Sequence, residues 1–181
     1  MKTPSIVLAV PPQPEDHRQG PAHPRLTLIE YGDFESLACR SAAPTVRMLL
    51  EQYPRQLQVI YRHFPSELEH AHAVLAAEAA EAAAAQGKFW EMHDALFRHA
   101  ARLGPKDLHR YAAEIGLDLV RYTVEMDDHI YLQKVREHIE GARRSHLVAA
   151  PAFFLGGVYQ DTSAGMRRLI DTVAEAAGRE R

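Results

Sequence analysis

The stretch Leu26–Pro44, LTLIEYGDFESLACRSAAP, constrains this chain more than any other. Leu26, Leu28, Ile29 and Tyr31 make a β-rich run, Gly32 and Asp33 break it, and from Leu37 on Ala, Arg, Met and Leu dominate, which favour helix. The segment reads as strand, turn and helix, with the single cysteine, Cys39, at the turn. A helix start leaves backbone N–H groups without partners and carries the positive end of the helix dipole, so a thiol placed there is expected to ionise more easily. A C-x-x-C pair at such a turn would be a dithiol redox centre. Here Ser36 holds the first position, and a hydroxyl cannot form a disulfide. Two-cysteine redox chemistry within the chain is therefore excluded.

The rest of the chain extends this unit. The proline-rich residues 1–24 read as an extended arm, in which Ile6–Val10 could add an edge strand. The helix is expected over 39–53, with Val46, Leu49, Leu50 and Tyr53 at helical spacing and Pro44 as an internal kink. Leu57–His63 is a second strand, and two strands joined by one helix make a parallel pair through a right-handed crossover. About eighty residues of short helices follow: an alanine-rich helix over 71–86 stopped by Gly87, another over 88–101, one opened by Pro105 and closed by Gly116, one capped by Asp118, and one from Tyr131 to near Arg144. Ala152–Leu155 and Val158–Gln160 flank Gly156 and Gly157 as a hairpin, and a helix capped near Thr162 or Ser163 closes the chain. The fold class is α/β, one layered unit with helices on both faces of the sheet.

With 181 residues, the chain suffices for one good core but is short for two independent domains. A net charge of −3 gives no basic excess for a nucleic-acid partner. No apolar run approaches the roughly 18 residues that would cross a bilayer, so no membrane partner is expected. The apolar run Ile6–Val10 is too short for a secretory core, and one unpaired cysteine suits a reducing compartment, so the expected location is cytoplasmic.

Several separate segments, in order, resemble the DsbA-like branch of the thioredoxin fold. They are Asp16 and His17 followed by LTLIEYGDFE, Ala42–Pro44, YRHFP at Tyr61–Pro65, HAHA at His70–Ala73, QGKFWEMHDALF at Gln86–Phe97, and APAFFLGG at Ala150–Gly157. The resemblance implies a thioredoxin-like domain over 25–66 and 146–181, an inserted helical subdomain over 67–145 and an arm over 1–24. It also implies a cis-proline at Pro151, preceded by Ala150, facing the turn. The second-cysteine position falls on Cys39 and the attacking one on Ser36, so the family's attacking thiol is absent here.

Cys39 then reads either as a small buried side chain or as a monothiol site working with an external thiol. Ser36 reads as an N-cap, or as the group that would hold a glutathione sulfur in a transferase or isomerase, a feature the related kappa-class transferases share. Ala150 and Pro151 would line a groove for a thiol-containing peptide or protein, or for glutathione, the one cofactor considered. Glu30 could be a buried acid, but with Tyr31 on the alternate face only one of the two is expected to point inward. His63, His70 and His72, with Glu67 and Glu69 between them, have no spacing that converges, so no metal site is expected there. Phe89, Trp90 and Phe97 read as packing between helical block and sheet.

Overall fold

The first strand, β1 (His17–Gln19), lies inside the segment expected as an extended arm. In the computed structural model, which describes residues 6–178, it pairs antiparallel with β3 (Leu57–His63), placing His17 opposite Tyr61. The arm is therefore partly an edge of the sheet. Its remaining ends, 1–5 and, at the other terminus, 179–181, lie outside the described residues.

Next come β2 (Leu26–Gly32), α1 (Leu37–Gln52) and β3, and β2 and β3 run parallel with Leu28 opposite Val59 and Glu30 opposite Tyr61. β4 (Ala152–Leu155) joins the other side of β2 antiparallel, and β5 (Val158–Gln160) follows through Gly156 and Gly157, both in the left-handed region. The order across the sheet is β1-β3-β2-β4-β5. Of the segment Ile6–Val10, Val7 alone bridges to the sheet, opposite Val158.

Five helices sit between β3 and β4: α2 (Ala73–Ala84), α3 (Phe89–Arg98), α4 (Pro105–Glu114), α5 (Leu119–Asp127) and α6 (Leu132–Arg144). The final helix, α7 (Arg167–Gly178), starts after Gly165 rather than at the Thr162 or Ser163 cap that the sequence suggests. Pro44 lies within α1 without ending it.

Both faces of the sheet are covered. Ala42, Val46 and Leu49 of α1, with Leu169 and Val173 of α7, pack on Leu28, Val59 and Phe153. Ala142 of α6 and Leu147 pack on Ile29, Tyr31, Ile60 and Phe154 from the other side. Each such aliphatic or aromatic side chain, once fully buried, contributes roughly 1.5–3 kcal/mol. The alanine side chains of α2 let α3, α4, α5 and α6 close around it, so it is buried on nearly every side. Gly32, at the end of β2, is where the backbone meets the Tyr61 ring: a Cβ there would lie 2.5 Å from ring carbon and hydroxyl alike.

Candidate functional site

The turn after β2 positions Ser36 and Cys39 at the head of α1. Ser36 is the N-cap, in extended conformation, and its Oγ accepts from the Cys39 backbone N–H at 3.3 Å. One of the unpartnered N–H groups of the helix start is thereby satisfied. Cys39 is fully buried, and its Sγ accepts from the Asp33 backbone N–H at 3.4 Å. Burial pushes the thiol up to about 12, outweighing the hydrogen bonds from Ser36 and the Asp33 backbone that favour the thiolate, and the charges of Glu30 and Asp33 push the same way as burial. Of the two readings of Cys39, its burial matches the small buried side chain. The dipole is present, but the sulfur is buried, and desolvation of a thiolate costs more than the helix end returns.

Asp33 organises the turn. Its Oδ1 accepts from the Glu35 N–H at 2.8 Å, while its Oδ2 accepts from the Ser66 N–H at 2.8 Å and from His70 Nδ1 at 2.7 Å. Partial burial works against a charged His70 ring, but the Asp33 hydrogen bond and charge win and raise its pKa. His72 turns instead to Glu35, with its backbone N–H donating to the carboxylate at 2.8 Å. The three histidines considered together in the sequence thus go to different partners, since His63 faces Glu81 at 2.8 Å.

Glu30 and Tyr31 are both buried, which corrects the alternating-face expectation. A strand alternates faces, but this sheet has helices on both, so neither residue reaches water. Among the described residues, Glu30 Oε1 and the Tyr61 hydroxyl have no hydrogen-bond partner. Burial alone raises Glu30 to about 8, so the fold favours its protonated form.

The Ala150–Pro151 peptide is cis, and the two residues sit between two open grooves. One, of about 480 Å³, is lined by Ala38, Ala42, Val148, Pro151 and Met166. The other, of about 410 Å³, is lined by Ser36, His70, Leu68, Val148 and Ala150. The structure therefore brings Ser36 and Ala150 to one surface, Pro151 next to them, and withholds Cys39 from it. Apolar side chains rim this surface: Leu68 is 100% exposed and Val148 97%. Asp33 and His70 are site residues that sequence reading left out, although both stand in the quoted GDFE and HAHA segments.

A second polar centre lies between β1, β3 and α2. His17 Nε2 and His63 Nε2 approach the same Glu81 Oε1 at 2.7 and 2.8 Å, and Lys134 Nζ from α6 approaches Oε2 at 2.7 Å. Burial would raise Glu81, yet the bonds from the two histidines hold it well below the usual carboxylate range. Beside it Arg62, fully buried, makes a two-pronged bond to Asp16 with both contacts at 2.9 Å, and donates to the carbonyls of Val10 and Pro11 and to the Tyr31 hydroxyl. Phe89 stacks on His17 with centroids 3.6 Å apart, and Trp90 Nε1 donates to the Arg18 carbonyl.

Against this geometry, a family model described as Thioredoxin matches residues 13–172. The Na(+)/H(+) antiporter NhaA 1 of Salinispora arenicola is 40% identical over 172 residues, which is 94% of this chain and 26% of the antiporter. The antiporter NhaA 3 of Salinispora tropica is 42% identical over 153 residues, 84% of this chain and 23% of the antiporter, so the chain spans about a quarter of such relatives. Among solved structures, oxidised BdbD from Bacillus subtilis superposes with a TM-score of 0.85 at 14% identity, over 97% of this chain and 100% of that one. A thioredoxin-like oxidoreductase from Silicibacter pomeroyi gives 0.77 at 26% identity, over 93% and 95%. Wolbachia pipientis α-DsbA1 gives 0.76 at 19% identity, over 92% and 93%. With a sheet, a helical insertion and a turn laid out in this way, the chain shares its fold with DsbA-like structures and belongs to the thioredoxin family.

Proposed function

We propose that this chain is a DsbA-like unit that holds a thiol-containing peptide in the groove beside Ser36 and Pro151 and performs no dithiol exchange on it. The observation that carries the reading is the contrast within four residues: Ser36 lines the groove, while Cys39 is sealed beneath it with its pKa at about 12. A thiol that is neither ionised nor reachable attacks no disulfide. This weighs against a monothiol redox role for Cys39. The groove itself keeps what binding needs. An extended segment can pair with the Ala150 backbone and set apolar side chains against Leu68 and Val148. Because relatives at 40% and 42% identity are antiporters, the client we assign is a segment of an ion-transport protein.

The test is calorimetric titration with a cysteine-containing peptide, its serine analogue and reduced glutathione, run beside an insulin-reduction assay. We expect peptide binding that Val148→Glu removes, no turnover of insulin by the native chain, and turnover by the Ser36→Cys variant, which restores the missing sulfur. Glutathione binding stronger than peptide binding would favour a transferase instead. Disulfide turnover by the native chain would overturn the reading.

A further inference from the structure

We propose that His17, His63 and Glu81 form a binding site for a divalent transition-metal ion of the zinc type, with the side chain of Lys134 as its gate. The site shares no residue with the groove beside Ser36 and stands or falls independently of the peptide reading. Among the described residues these are the one group of three His, Cys, Asp or Glu side chains whose donor atoms converge, all within 4.8 Å of one another. They come from three elements, β1, the end of β3 and α2. Two imidazole nitrogens and one carboxylate oxygen are a zinc donor set that leaves a fourth position for water.

The proton count around His17 points to a cation. Its Nε2 lies 2.7 Å from Glu81 Oε1 and 3.1 Å from Lys134 Nζ. If that nitrogen carries a proton toward Glu81, it meets an ammonium donor to donor. If it accepts from Lys134, its bare lone pair faces a carboxylate oxygen at hydrogen-bond distance. One ring nitrogen serves one role at a time, so either arrangement leaves one close contact unfavourable. A metal ion in place of the ammonium satisfies all three lone pairs at once, after the ligands part by roughly 0.5–0.9 Å to reach the roughly 2.0–2.2 Å metal distances. Phe89, stacked on His17, already fixes the plane of that ring.

Access follows from burial. The three ligand side chains are 11% exposed or less, whereas Lys134 is 28% exposed and lines an open groove of about 420 Å³ together with Glu15 and Glu137. Its side chain can swing into that groove beside those carboxylates. Metal binding then bolts β1 to β3 and α2 where hydrogen bonds hold them now, and the site is a cation-responsive clasp on the arm.

The experiment uses the full chain freed of metal by a chelator, titrated with Zn2+ against a chromogenic competitor, with Co2+ absorption as the report of coordination. We expect one equivalent of tight Zn2+, a visible Co2+ band typical of four-coordinate nitrogen and oxygen donors, and tighter binding in Lys134→Met. His17→Ala should weaken Zn2+ by more than about 100-fold, since even an outer partner of a ligand typically costs about 10–100-fold. Circular dichroism establishes that each variant is folded. Glu81→Gln should weaken Zn2+ likewise, and if it does not fold, the other two variants decide. Binding unchanged by His17→Ala would place the ion on exposed histidines such as His23, His109 or His146 and overturn the proposal. Binding seen only in Lys134→Met would also overturn it, by making the ammonium the permanent cation of the native chain.

Discussion

Glu30 and Glu81 are equally buried, each 2% exposed, and they behave in opposite ways. Glu30, under the Ser36 turn, has an oxygen with no partner and is raised to about 8. Glu81, at the junction of arm, sheet and helical block, has two histidines and a lysine around it and is held well below the usual carboxylate range. Burial alone thus does not decide ionisation; the partners do. The two regions divide the polar work of the molecule. Around Glu30 burial favours a neutral acid, although Asp33 and His70 pair at the Ser36 turn, and the larger set of paired charges is collected where the chain holds its N-terminal arm.

The largest expected effect lies in the charged region. Arg62→Ala leaves Asp16 buried without its counter-charge, and leaves the Val10 and Pro11 carbonyls without their donor. Removing one partner of a buried pair costs about 3–5 kcal/mol. For a domain of this size that corresponds to a fall in Tm of roughly 10 °C. Urea unfolding measures it. A loss below about 1 kcal/mol, the level of an exposed pair, would mean that the arm is not tied down by charge and would erase the contrast between the regions.

Glu30→Gln tests the neutral region through pH. The folded pKa of about 8 lies above the unfolded value near 4.5, so the folded chain holds a proton that the unfolded chain has released across that window. The stability this proton supplies is complete below the unfolded pKa and is lost as pH rises toward 8, by up to about 1.4 kcal/mol per pH unit. Glu30→Gln lacks the titration, so its stability relative to the native chain should climb steadily from pH 5 to pH 8. Parallel stability curves for the two proteins would show that Glu30 is ionised and paired like Glu81.

What could be read from sequence follows the range of the forces involved. The strand, turn and helix around Ser36 are legible because capping, turn chemistry and helical spacing act within a few residues. The hairpin at Gly156 and Gly157 is legible for the same reason. The junction is not: His17 and Glu81 stand 64 residues apart and Asp16 and Arg62 46 apart, and no local pattern announces either pair. The prolines of the arm speak only for extended backbone, while what draws it onto the sheet is a buried arginine in β3. Glu30 was misjudged because alternation along a strand predicts one wet face only when the sheet has one.

The smallest effect sits on Ser36 itself, and it sharpens the comparison most. As an N-cap bonded to the Cys39 N–H, Ser36 should lose about 1 kcal/mol on Ser36→Ala and only a few tenths on Ser36→Gly, because glycine leaves the cap position open to water. If stability follows that order and peptide binding is unchanged, the hydroxyl serves the helix alone, and the neutral region is a scaffold whose binding rests on Ala150 and the apolar rim. If Ser36→Ala keeps the stability and abolishes binding, the hydroxyl is turned toward the ligand, and the place of the lost sulfur has been given a different polar task.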